Sequence, residues 1–201
     1  MTTMDSEAWD ERYSTREYIW TITVNQFVEA NLADLPPGKA IDLAAGEGRN
    51  AVWLANKGWE VTAVDFSSVA LDKGRRLASE HDMEVDFIHA DATTFQAEEE
   101  VDLVILSYLQ LESDERRTVL EHAATWLAPG GSVFVIAHDK TNVTDGYGGP
   151  SSAEVCYSPE ETAAALGGLS IATASTVDRV VDTPDGPRTA LDTLVIATRP
   201  E

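Results

Sequence analysis

Apolar and polar positions along this chain follow two periods in turn. Short runs at 40–43, 61–65, 85–90, 101–107 and 132–137 have the length and β-branched content of strands. Between them lie stretches of helical character at 50–57, from a cap at Ser67 or Ser68 to about His81, and from Ser113-Asp114-Glu115 to a stop at Ala128-Pro129-Gly130-Gly131. Strand and helix in alternation, with short connections, predict a parallel sheet covered by helices. The 101–107 run is nearly all apolar, as a strand buried on both faces should be.

The two ends depart from that rhythm. Residues 5–33 read as helical, anchored by Trp9, Tyr13, Trp20, Phe27 and Val28, so 1–36 are expected to form an N-terminal helical cap ending at Pro36-Pro37-Gly38. Near the other end, Ser158-Pro159-Glu160-Glu161 is a capping box with proline at the first helical position. The runs 169–181 and 189–197 flank a Pro-Asp-Gly-Pro turn and predict an antiparallel hairpin at the sheet edge. The expected fold is therefore one α/β domain over residues 1–201. It is a doubly wound, Rossmann-like, seven-stranded and mostly parallel sheet, with an antiparallel C-terminal hairpin and helices on both faces. Residues 139–157 have glycines at 146, 148 and 149 and no periodicity. A segment that long is expected to be a lid, with Asn142, Tyr147 and Tyr157 as its contacts.

Composition narrows the partners. Of the 201 residues 35 are acidic and 14 basic, a net charge of −21. That field repels phosphate backbones, and the basic residues are scattered, so nucleic acid is not an expected partner. No uncharged apolar run reaches the ~18 residues that would span a membrane. Asp5, Glu7, Asp10 and Glu11 occupy the place of a basic signal-peptide head. A lone Cys156 leaves neither a disulfide framework nor a multi-cysteine zinc site, and no metal is expected. The expectation is a cytoplasmic monomer or homodimer.

The richest stretch is Asp42-Leu43-Ala44-Ala45-Gly46-Glu47-Gly48-Arg49-Asn50, between a strand and a helix, where glycines let backbone approach a ligand. Gly46-x-Gly48-x-x-Ala51, with Asp65 placed 19 residues beyond Gly46, fits a dinucleotide fingerprint. Two further acids turn the reading. Asp42 lies inside the first strand, and a carboxylate there needs a hydrogen-bonding partner such as a ligand ammonium. Asp91 ends the third strand, so acids sit at three successive strand termini. One acid for an α-amino group, one for a ribose diol and one for an adenine amino group describe S-adenosyl-L-methionine.

With these residues the chain resembles the class I S-adenosylmethionine-dependent methyltransferases. The matching positions are Asp42-x-x-x-Gly46-x-Gly48, Asp65, Asp91, Val101-Asp102-Leu103-Val104 and Leu127-x-Pro129-Gly130-Gly131. Gly48-Arg49-Asn50 with Leu54-Ala55-x-x-Gly58, and Trp9-Asp10-Glu11-Arg12-Tyr13, are similar to the small-molecule branch near the tellurite-resistance and thiopurine methyltransferases. The resemblance implies that Asp42 and the Ala44–Gly48 backbone hold the methionine portion, and Asn50, Ser107 and Tyr13 are further expected cofactor contacts. It implies Asp65 on the ribose hydroxyls, Phe66 against adenine, and Asp91 and the Ala92 amide on the adenine edge. Two departures stand out. Ala44 replaces the usual first glycine, and the tellurite-type His-Arg pair of the penultimate strand is Asp178-Arg179 here.

The expected function is methyl transfer to a small-molecule acceptor, which needs alignment first and a general base only if the nucleophile arrives protonated. His138 and Tyr108, after the fifth and fourth strands, are the candidate catalytic residues; His89, His81 and His122 are read as structural or surface, and Asp102 as a solvated strand start. The rivals are a catalytically silent S-adenosylmethionine-binding sensor or scaffold, and a nicotinamide-dependent oxidoreductase.

Overall fold

A computed structural model describes residues 5–201, which fold as two compact units, 5–107 and 108–201. Seven strands make a mixed sheet of order β3-β2-β1-β4-β5-β7-β6, the expected fold. In the first unit these are β1 (Lys39–Leu43), β2 (Glu60–Asp65), β3 (Asp86–His89) and β4 (Val101–Ser107). All pair in parallel, with Asp42 beside Ala63 on one side and Ile105 on the other. Helices α3 (Arg49–Asn56) and α4 (Ser68–Glu80) connect them, and Ser67 caps α4 by accepting the Ala70 N–H at 3.1 Å. The inward faces bury Ile41, Leu54, Val64, Leu71 and Leu103.

The N-terminal cap is not one helix. It forms α1 (Ser6–Ser14) and α2 (Gln26–Leu32), with irregular chain between. The β-branched Thr21-Ile22-Thr23-Val24 disfavours helix, and Asn25 begins a new cap by accepting from the amides of Phe27 and Val28. The linking backbone finds partners in side chains instead: Glu47 accepts from the amides of Ile19 and Trp20, and Lys73 donates to the carbonyls of Tyr13 and Arg16. Lys73 and Glu47 also pair at 2.9 Å, both buried.

The second unit holds α5 (Ser113–Thr125), β5 (Leu127–His138), α6 (Asn142–Asp145), α7 (Pro159–Ala165), β6 (Ser170–Val181) and β7 (Arg188–Thr198). The C-terminal hairpin is antiparallel as expected, β7 lying between β5 and β6. β5 begins five residues ahead of its expected start at Ser132, because the Pro129-Gly130-Gly131 stop joins the ladder: Gly130 N–H donates to Arg199 O, and Arg199 N–H to Gly131 O. No described helix is long and apolar enough to cross a membrane.

Candidate functional site

In the first unit, the chain leaves β1 through three left-handed residues, Ala44 (φ 61°), Gly46 (φ 55°) and Gly48 (φ 76°). Gly48 opens α3, and a Cβ there would stand 3.1 Å from the Phe87 ring and 3.3 Å from Gly74 Cα. Side chains are thus excluded at Gly48 by both conformation and space. Over Gly46 lies Tyr13, whose hydroxyl would be 2.9 Å from a Cβ at that position. Burial, with Asp65 nearby, pushes the Tyr13 phenol well above its ordinary range.

Asp65 ties this loop to the next. Its Oδ2 accepts the Gly46 N–H at 2.7 Å and its Oδ1 the Ser67 N–H at 2.9 Å. Burial raises its pKa, and those amide bonds oppose the rise. Asp42 has less help. It is fully buried, and neither oxygen has a partner at ordinary hydrogen-bond geometry. Burial, opposed by Arg49 and weakly by the Ala51 amide and reinforced by Asp65, pushes its carboxyl up to about 7. Ser107 Oγ, at the end of β4, is likewise buried and unpartnered. An orphaned carboxylate beside a glycine loop suits an ammonium ligand, so these residues fit the methionine end of S-adenosylmethionine.

The remaining sequence-predicted residues divide. Phe66 is half-buried, its carbonyl accepting from His89 Nε2 at 2.8 Å, and Ala92 is buried. Asp91 is exposed at the end of β3 and its Oδ1 caps a turn by accepting from the Thr93 amide and hydroxyl. Asn50 is reassigned: its buried Oδ1 accepts the Asn25 N–H at 3.0 Å, anchoring the start of α2 and not the glycine loop. Asp102 accepts the Lys39 N–H at 2.8 Å, a structural role as read. Sequence reasoning missed Glu47, Lys73 and Asp10. Asp10 binds the Ser67 hydroxyl at 2.5 Å and so bolts α1 to the Asp65 turn. Lys73 carried a signal, a cation on the apolar face of α4 among Ala70, Leu71 and Leu77.

The second unit carries its own polar cluster. Tyr108 stands in the left-handed region (φ 58°), its N–H donating to Ile136 O, and its ring lies 4.8 Å from that of His138. The Tyr108 hydroxyl donates to Asp192 Oδ2 at 2.7 Å, and Arg179 Nε donates to the same oxygen at 2.6 Å. His138 Nδ1 is 3.3 Å from Asp192 Oδ1. Asp192 is fully buried; burial alone would raise its carboxyl, but His138, Arg179 and Tyr108 together hold it below the usual range. Arg179 turns inward and its neighbour Asp178 is exposed, as strand alternation requires.

The 139–157 segment is pinned at both ends. Tyr157 is buried and donates to Leu109 O at 2.8 Å; Asn142 is buried and bonded to Gly148 O and the Leu191 N–H. These two are fold anchors and not the ligand contacts expected of them. Asp139 is saturated by Thr141, Thr176 and Thr193, and Cys156 is a buried free thiol. Tyr147, 44% exposed, is the expected contact left free of the core. Gly149 (φ 78°) lies so near His138 that a Cβ would reach its Nδ1 at 3.0 Å.

Residues 40–131, which include the glycine loop, Asp42 and Asp65, match the family model of a methyltransferase domain. That likeness to a methyltransferase domain covers a little under half of the chain. Among curated methyltransferases, demethylmenaquinone methyltransferase of Clavibacter sepedonicus is 32% identical over 120 residues, covering 59% of this chain and 47% of that protein. Ribosomal RNA small subunit methyltransferase C of Alcanivorax borkumensis is 30% identical over 107 residues, 51% of this chain and 33% of that protein. The chain thus spans less than half the length of these relatives. Among solved methyltransferase structures, N-methyltransferase NodS of Bradyrhizobium japonicum in complex with S-adenosyl-L-homocysteine superposes with a TM-score of 0.74, at 17% identity, over 98% of this chain and all of that one.

Proposed function

We propose that this protein transfers a methyl group from S-adenosylmethionine to a small-molecule acceptor. The observation that carries the reading is Asp42, a fully buried carboxylate without a partner beside the glycine loop. When bound, the cofactor supplies an electrophilic methyl on a sulfonium. Asp42 would hold its ammonium, and Asp65 would use its remaining lone pairs for the ribose hydroxyls. Ala44, Gly46 and Gly48 would give backbone to the methionine portion, with Ser107 and Tyr13 beside it. Phe66, Ala92 and the free oxygen of Asp91 would receive adenine. A net charge of −21 supports a small acceptor over RNA, because phosphate would be repelled. His138 and Tyr108 are the residues we assign to the acceptor. The free part of the 139–157 segment, around Tyr147, would select among acceptors, the role of a closing loop.

The test is transfer of tritiated methyl from labelled cofactor into two pools, a metabolite extract and total RNA, with calorimetry for S-adenosylhomocysteine alongside. Label in the metabolite fraction supports the reading; label confined to RNA replaces the acceptor class. Binding with no transfer to either leaves a silent binder, and heat with NAD alone overturns the family cofactor.

A further inference from the structure

The buried carboxylate of Asp192 has no part in the methyl-transfer reading, yet side chains from three other segments converge on it. Its Oδ2 takes two short hydrogen bonds, from Tyr108 and Arg179, while Arg179 Nη2 reaches Oδ1 only at 3.5 Å. A fully buried carboxylate oxygen needs a donor, and the ring nitrogen that stands nearest to Oδ1 is His138 Nδ1, itself shielded from solvent and without a hydrogen-bond partner. The unpartnered ring nitrogen and the weakly bonded Oδ1 complete each other if Nδ1 carries the proton. We propose that Asp192 is a positioning residue that fixes His138 as the Nδ1–H tautomer, leaving Nε2 as a lone-pair base, and that Arg179 keeps the pair electrically neutral. What that base is used for rests on the methyl-transfer reading.

Three side chains from separate elements meet at Asp192 of β7: His138 on β5, Arg179 on β6 and Tyr108 ahead of α5. The Arg179 cation answers the Asp192 charge. An unpaired arginine at that place would invite an oxyanion; this one is committed to Asp192 through Nε. The acceptor we infer is therefore a molecule whose nucleophilic oxygen or nitrogen still carries its proton. That proton passes to His138 Nε2 while the nucleophile's lone pair forms the bond to the methyl carbon, and the electron pair of the broken carbon–sulfur bond remains on sulfur.

Nitrogen-15 spectra of the imidazoles read the tautomer without any acceptor. The chain has 4 histidines, and loss of one signal in His138→Gln assigns the relevant one. The wild-type protein should show Nδ1 protonated and Nε2 bare at neutral pH, and Asp192→Asn should move the proton to Nε2. Arg179→Gln keeps the Asp192 carboxylate and should leave the proton on Nδ1. Nε2–H in the wild type, or in Arg179→Gln, overturns the proposal; the second variant decides if Asp192→Asn does not fold. Incubation with millimolar tellurite and labelled cofactor should yield no methylated product, and turnover of that oxyanion would overturn the neutral-acceptor inference. Calorimetry with S-adenosylhomocysteine separates the two readings: absence of binding sinks methyl transfer, while the tautomer result still stands or falls on its own.

Discussion

Two aspartates lie wholly buried within strands of this protein, and their situations are opposite. Asp42 of β1 has no partner and is pushed up to about 7 by its burial. Asp192 of β7 suffers the same burial, but donors from His138, Arg179 and Tyr108 outweigh it and hold the carboxyl down. Asp65 falls between, with two amide donors and a pKa still raised. Burial pushes all three upward, and the count and charge of donors decides the net direction. A carboxylate whose partners are all supplied by the fold is a structural or orienting group. One left without partners keeps its capacity for a ligand.

The contrast is breakable by mutation. If Asp65 takes the ribose hydroxyls as proposed, Asp65→Ala should weaken S-adenosylhomocysteine binding by about 2–4 kcal/mol in calorimetry. Asp102→Ala, by contrast, should leave that affinity nearly unchanged, and equal losses would refute the distinction. Asp192→Asn strands Arg179 beside a buried neutral amide and should lower unfolding stability by about 2–4 kcal/mol in urea titration. Asp42→Asn should do the reverse, stabilising the ligand-free protein by about 1–3 kcal/mol near pH 8 while weakening S-adenosylhomocysteine binding. A destabilised Asp42→Asn protein would show that Asp42 has a partner after all.

The pH dependences should have opposite signs. Folded Asp42 keeps its proton up to about 7, whereas unfolded it releases it near the ordinary 3.8, so this group erodes stability as pH rises through that window. Asp192 is depressed, so its contribution is complete above the ordinary carboxylate range and vanishes only as pH falls through its folded value. Ligand affinity should fall by at most about tenfold per pH unit below about 7, as Asp42 protonates, and Asp42→Asn should flatten that limb. The smallest effect concerns backbone. Ala44 and Tyr108 are both non-glycine residues in the left-handed region. Ala44→Gly should raise stability by no more than about 1 kcal/mol, since relief of strain is partly offset by the freer unfolded chain. A clear loss of stability would mean that the Ala44 methyl packs usefully.

The chain's periodicities, caps and turn residues were enough to place the four parallel strands, their helices and the C-terminal hairpin, because each of those signals lies within a few residues of the element that it specifies. The same local logic found the glycine loop and flagged Asp42, since an acid inside an apolar strand is anomalous wherever the strand goes. It misjudged 15–25, where β-branched residues disfavour helix and Glu47 and Lys73 grip the backbone from distant elements. It also gave Asn142 and Tyr157 to ligands, although their polar atoms are spent on neighbours that no local pattern reveals, and it did not foresee that Asn50 Oδ1 holds the Asn25 amide. Asp192 shared the anomaly of Asp42, an acid among apolar strand residues, but its meaning depended on Tyr108, 84 positions away in the chain, and on the register that brings β6 and β5 to either side of β7. Local sequence determined which elements form and where a charge is out of place. Only the tertiary structure decided which of those charges is answered, because a partner across a sheet is a property of pairing and not of spacing.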